Sequence, residues 1–151
     1  MKGPNPKDAV GRAKLPLHLW PPSATAMGCL GLLEGNEKYG RTNWRATPVL
    51  ASVYLAAAKR HLDDWQEGAD NAADSNNPHL GNALACIAII VDAATHGTLI
   101  DDRNFQPGSG DGYQRLVATL TPQVAALQAK YSAVRPKHYD RRDQAKPRGK
   151  A

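Results

Sequence analysis

Glu34-Gly-Asn-Glu-Lys-Tyr-Gly-Arg-Thr-Asn-Trp-Arg45 follows directly on the apolar run Met27–Leu33. On a helix, residues three and four apart share a face. With Leu30 as zero and about 100° per residue, Met27 lies at about +60°, Leu33 at about −60°, Glu34 at about +40° and Glu37 at about −20°. This projection places both carboxylates on the apolar stripe, so the sequence predicts that they face inward. Carboxylates taken out of water need cations beside them. A metal site is the favoured reading. The other is a helix end that fans into solvent, with Glu34 paired to Lys38 at i+4. Gly28, Gly31 and Gly35 fall away from the carboxylates, where they permit close approach of another helix or subunit.

Outward from this stretch, the 151 residues suffice for one domain with a real core. Hydrophobic residues make up 42% and aromatics only 6%, which favours helix over sheet. The net charge of +5 is confined to one end. Residues 1–134 carry 12 Lys/Arg and 12 Asp/Glu, whereas residues 135–151 carry 7 basic and 2 acidic side chains. The expectation is a helical domain over 1–134 and a basic, mobile tail over 135–151. A neutral body argues against nucleic acid as the main partner. Cys29 and Cys86 sit in apolar helical runs and read as small core residues of a reducing compartment, not as a disulfide. Met1 to Lys14 is polar and does not read as a secretory leader. The longest apolar run, Ala83–Ala94, contains Asp92 and is too short to span a bilayer.

Taken in order, residues 1–14 read as an extended arm. Leu15–Pro22 reads as a non-helical strap, with His18 and Trp20 as possible pocket residues. The first long helix is predicted from an N-cap at Ser23 to Tyr39, ended by Gly40. A loop over 40–47 carries Asn43, Trp44 and Arg45. Thr47-Pro48 reads as a cap followed by Pro at the first helical position, and the second helix then runs to about Glu67. His61 falls on its apolar stripe and Asp64 at the edge, while Asp63 and Glu67 point away. Asn77-Pro78 repeats the cap signal before a third helix, Pro78–His96, which is apolar almost all round and therefore central. His79 and Asn82 are polar exceptions at its start. They either face a phosphate or satisfy local backbone groups. A fourth helix starts near Tyr113, and Thr121-Pro122 kinks or splits it.

Acidic residues converging from several helices suit hard divalent cations. His61 would join such a site as a softer ligand or an outer partner. Carboxylates with Lys38, Arg45, Arg60 and Arg103 in the same pattern match phosphoryl chemistry. The sequence has no P-loop, no Rossmann fingerprint and no zinc-type cysteine spacing.

Glu34-x-x-Glu37, with further polar groups one helix later, resembles the all-α nucleoside triphosphate pyrophosphohydrolases of the MazG superfamily, whose signature is ExxE followed by ExxD. The fuller pattern is Glu34-Gly35, Lys38-Tyr-Gly-Arg-Thr-Asn-Trp-Arg45, Arg60-His61-Leu62, His79-Leu80, Asp92-Ala93 and Gly97-Thr-Leu-Ile-Asp-Asp-Arg103. It is similar to the phage dATP/dGTP diphosphohydrolase family, and nearest to the MazZ type of phages that replace adenine by 2-aminoadenine. The resemblance covers about residues 15–103. It implies an all-α, MazG-like four-helix bundle, assembled as a homo-oligomer, either dimer or tetramer, in the cytoplasm of an infected bacterial host.

The activity it implies is cleavage of a purine (deoxy)nucleoside triphosphate, dGTP or GTP and conceivably dATP, between the α and β phosphates. The products are the monophosphate and pyrophosphate, with dGMP feeding 2-aminoadenine nucleotide synthesis. Mg²⁺ or Mn²⁺ is the implied cofactor, with two or more ions per site. Glu34, Glu37 and Lys38 are the expected catalytic residues. The second half of the metal motif stays open. Glu67-x-x-Asp70 matches the letters, His61-x-x-Asp64 has the better geometry, and His79-x-x-Asn82 sits on the corresponding helix without a carboxylate. The expected ligands are Glu34, Glu37 and Asp64, with Glu67 as an alternative. Lys38, Arg60 and Arg103 would meet phosphates, with His61, His79 and Asn82 beside the substrate. Asn43 would meet the base, and Trp44 either stacks on it or anchors its own loop. The competing reading is a non-catalytic helical nucleotide-binding or regulatory protein.

Overall fold

The apolar run after Pro78 becomes the central helix of a computed structural model that describes residues 5–104, 111–136 and 140–144. The elements are α1 (Pro6–Arg12), a 3₁₀ turn (Leu17–Leu19), α2 (Pro22–Tyr39), α3 (Asn43–Ala46), β1 (Val49–Leu50) and α4 (Ala51–Gln66). They continue with α5 (His79–Thr95), β2 (Leu99–Ile100), α6 (Gly112–Lys130) and α7 (Arg141–Gln144). The all-α expectation holds. The chain divides into two compact units, Met1–Asp102 and Arg103–Ala151. The first contains three of the four expected long helices, and the second contains α6. Among the described residues, no helix is long and apolar enough to cross a membrane.

In the first unit α2 and α4 both pack against α5. Glu34 near the end of α2 meets Asn77, just before α5, while Gly28 faces Leu84 further along, so the two helices are antiparallel. Small residues make this contact possible. A methyl group on Gly81 would sit 2.5 Å from the carbonyl oxygen of Met27, and one on Gly31 would sit 2.9 Å from Ala85 Cβ. The buried apolar residues are Trp44 and a set of alanines, Ala51, Ala58, Ala72, Ala83, Ala85 and Ala93. Apart from Trp44, the large apolar side chains among the described residues are half-buried or exposed. Met27, Leu30 and Leu33, the stripe expected to be buried, are 36%, 41% and 53% exposed. The physical reason is that α2 turns its glycine face to α5, where backbones approach closely, and so its larger apolar residues point outward. The central helix itself is open on one side, with Ile87 and Val91 exposed.

Several sequence expectations are corrected at element boundaries. Residues 6–12 form a helix, capped by the Asn5 carboxamide accepting from the Lys7 amide at 3.0 Å; the first four residues of the expected arm lie outside the described residues. Leu15, Leu17 and Leu19 are exposed and make no strap. Ser23 is not a cap, because α2 begins at Pro22 behind Pro21. Thr47-Pro48 does not start a helix. Residues 49–50 instead pair in parallel with 99–100, Val49 opposite Leu99 and Leu50 opposite Ile100, which delays α4 to Ala51. Its first turn is capped from a distance: Asp102 accepts from the Ser52 amide at 2.8 Å and from the Ser52 hydroxyl. Cys29 is exposed and Cys86 half-buried, and both are free thiols. Burial pushes the Cys86 thiol up.

In the second unit α6 continues unbroken through Pro122. Its apolar residues Leu116, Val117, Leu120, Val124 and Leu127 are exposed. The expected connector beyond Asn104 and most of the basic tail fall outside the described residues, apart from α7, where Arg142 pairs with Asp140.

Candidate functional site

One group of polar residues of the first unit lies around the start of α5, where the end of α2 and the last turns of α4 both contact it. Glu34 is half-buried there, with its side chain 24% exposed. Its Oε2 accepts from Asn77 Nδ2 at 2.9 Å, and its Oε1 pairs with the Lys38 ammonium one turn on. That carboxylate holds the Lys38 ammonium above its usual range, by hydrogen bond first and by charge second. The pairing at i+4 is the second of the two sequence readings of Glu34. Glu37, by contrast, is exposed and accepts from Asn36 Nδ2 at 3.0 Å. The expectation that it faces inward is corrected, because its helix face is the outward one.

Two residues beyond Asn77, the start of α5 meets α4 and brings two imidazoles together. His61 Nδ1 and His79 Nδ1 lie 3.0 Å apart, with ring centroids at 5.2 Å. His79 is buried at 5% exposure. Its Nδ1 also lies 3.8 Å from an Asp64 oxygen, and the Asp64 side chain is 59% exposed. One donor atom from each of His61, Asp64 and His79 falls within 4.8 Å of the others. Burial, and then the His79 ring, push the His61 imidazole below its usual range, so it stays neutral and keeps a lone pair available. Asn82, one turn into α5, packs its carboxamide oxygen against Gly31 of α2. Glu67 lies at the very end of α4 and is exposed, as is Arg60. Arg103 belongs to the second unit.

Trp44 is placed elsewhere. Gly40 and Thr42 adopt left-handed backbone, at φ +88° and +50°, and turn the chain into α3. Trp44 Nε1 then donates to Asp92 Oδ2 at 2.6 Å, and Arg45 donates to both Asp92 oxygens at 2.7 and 2.8 Å. Asp92 is thirteen residues beyond His79 on α5, about 20 Å along the axis at 1.5 Å per residue. Trp44 therefore anchors its own loop at the far end of the unit. Asn43 sits beside it as the first residue of α3, half-buried. The same end holds an apolar cavity of about 670 Å³ between α2 and α5, walled by Trp20, Cys29, Leu84, Ile87 and Val91, with Arg45 and Asp92 on its lining. Trp20 donates its indole N–H to Thr25 at 2.9 Å.

Sequence reasoning missed two residues here. Asn77 reads as a helix cap but holds Glu34 instead. Asp92 carries a signal that could have been used, since a lone carboxylate inside an apolar helix implies a cationic partner. Arg45 supplies it.

Residues 4–103 match the family model described as dATP/dGTP diphosphohydrolase, N-terminal, an interval that ends within one residue of the first compact unit. No curated protein and no solved structure matches the chain.

Proposed function

Because the chain belongs to the dATP/dGTP diphosphohydrolase family, we propose that it hydrolyses a purine deoxynucleoside triphosphate to the monophosphate and pyrophosphate in a divalent-metal-dependent reaction. The observation that carries this reading is the family match over residues 4–103. What supports its location is that His61, Asp64 and His79 bring donor atoms together where α4 meets the start of α5, and that Glu34 is bound by Asn77, two residues before His79. The donor set suits a divalent cation: carboxylates and imidazole nitrogens, with burial favouring the neutral form of His61. Mg²⁺ or Mn²⁺, with Glu34 among its ligands, would neutralise phosphate charge and lower the pKa of a bound water.

The chain's own residues divide the remaining work. Asn77 and Lys38 orient the Glu34 carboxylate, and the Lys38 ammonium leaves that pair to meet phosphate oxygens. His79, buried at the start of α5, stands beside the helix N-terminus, where backbone amides favour an anion. The outward Met27, Leu30 and Leu33 suit burial by a second copy of the chain, in keeping with a homo-oligomer. We assign dGTP as the preferred substrate, with GTP and dATP as competitors, and a role in supplying dGMP to 2-aminoadenine synthesis in a phage, on the MazZ-type resemblance.

One observation favours a nucleotide-binding protein without turnover: Glu37 and Glu67 are both exposed, and neither belongs to the donor group of His61, Asp64 and His79. The deciding experiment measures pyrophosphate release from the eight common NTPs and dNTPs with Mg²⁺ or Mn²⁺, in wild type and Glu34→Gln. Turnover of dGTP, lost in the variant, supports the hydrolase. Nucleotide binding with no pyrophosphate from any of the eight moves the assignment to the binding protein.

A further inference from the structure

We propose that His61, His79 and Asp64 form a site for a borderline transition-metal ion such as Co²⁺ or Zn²⁺, one that discriminates against Mg²⁺ and ties the end of α4 to the start of α5. Two imidazoles and a carboxylate are a nitrogen-rich set. Mg²⁺ takes oxygen ligands almost exclusively and dehydrates reluctantly, whereas imidazole suits the later first-row ions. The spacing agrees. With metal–nitrogen bonds of about 2.1 Å, two nitrogens on one ion lie about 3.0 Å apart at right angles and about 3.4 Å apart at the tetrahedral angle, so a small opening of the pair admits either geometry. His61 Nδ1 and His79 Nδ1 are separated by 3.0 Å.

Without an ion, the two Nδ1 atoms sit at hydrogen-bond distance only if one ring carries its proton there and the other does not. Asp64 then faces His79 Nδ1 at 3.8 Å, beyond hydrogen-bond range. An ion between the three would satisfy all of them at once. The burial of His79 also fixes one ligand before binding, while the largely exposed Asp64 is free to close on the ion and leaves open positions on the solvent side. His61 and His79 are separated by the turn-rich segment 67–78, so an ion here would also hold that segment closed and raise stability by binding the folded state alone.

This inference deepens the proposed metal dependence of the same region, but its test contains no nucleotide. Metal-stripped protein is titrated with Co²⁺ and followed by the visible absorption of the ligated ion and by thermal unfolding. The expected result is one tight Co²⁺ per chain, a higher Tm with Co²⁺ or Zn²⁺, and no displacement by a large excess of Mg²⁺. His61→Ala should weaken Co²⁺ binding by about 100-fold, and Asp64→Asn by about 10-fold, outer-partner losses alone being of the latter size. Asp64 is exposed, so its variant remains informative if His61→Ala fails to fold. Absence of Co²⁺ binding, binding unchanged in both variants, or displacement by Mg²⁺ would each overturn the proposal. A protein that releases pyrophosphate yet shows one of those results keeps its hydrolase assignment and loses this site.

Discussion

Asn77 donates its carboxamide to Glu34 across 2.9 Å, joining the last turns of α2 to the segment that opens α5. Lys38 holds the other oxygen of the same carboxylate. Glu34 is thus oriented by a residue forty-three positions away. Asn77→Ala should leave the helical content intact by circular dichroism. It should lower kcat for deoxynucleoside triphosphate hydrolysis by about 10- to 100-fold, the usual cost of losing a partner that orients a ligand. An unchanged kcat would show that Glu34 needs no such support.

Close backbone approach makes Gly81, the one glycine of the central helix, hard to replace. Gly81→Ala would press a methyl group into the Met27 carbonyl, and should cost about 1–3 kcal/mol, as overpacking does. Gly35→Ala meets nothing within 4 Å and should be neutral or stabilising by up to about 1 kcal/mol. Denaturant unfolding of the pair would measure the difference, and equal effects would contradict the packing described.

Asp92 gives the fold an acid limit. Arg45 first, and then Trp44, hold its carboxyl well below the ordinary value of 3.8. A carboxylate whose folded pKa is depressed stabilises the native state fully above the unfolded pKa, and the contribution is lost as pH falls towards the folded value. The Tm should therefore start to drop below about pH 5 and keep dropping as pH falls towards the folded pKa, and Asp92→Asn should be less stable at neutral pH but flatter over that acid range. A variant with the wild-type pH profile would remove Asp92 from this role.

Asp102 caps α4 from beyond β2, through the Ser52 amide and hydroxyl, and these hydrogen bonds hold its carboxyl below the usual range. Asp102→Ala should release the first turn of α4. The Ser52 amide should then exchange faster with solvent, and the Tm should fall. Native-state hydrogen exchange resolves the first effect residue by residue, and unaltered exchange at Ser52 would exclude the cap.

How much of this was legible beforehand differs from residue to residue. The three long helices of the first unit were readable because period, proline punctuation and glycine stops act over a few residues. Gly40 and Gly97 end their helices in left-handed backbone as expected. The inward place of His61 followed from its stripe on α4. The direction of α2 was not readable in this way. Its apolar residues and its glycines define two possible buried faces, and hydropathy favours the wrong one. Close approach to Gly81 decides for the glycines, and that single rotation carries Glu37 out to solvent.

The sequence by itself determined an all-α chain, the presence of its long helices, its neutral body with a basic end, and the family to which residues 4–103 belong. Each of these depends on local propensity, charge count or a pattern of residue types. The tertiary structure alone decided which polar groups meet. Asn77 with Glu34, Asp92 with Trp44 and Arg45, Asp102 with Ser52, and His61 with His79 and Asp64 are separated by up to fifty residues. Their pairing is set by how α2 and α4 dock on α5, and side-chain geometry across helices is not encoded in any local window.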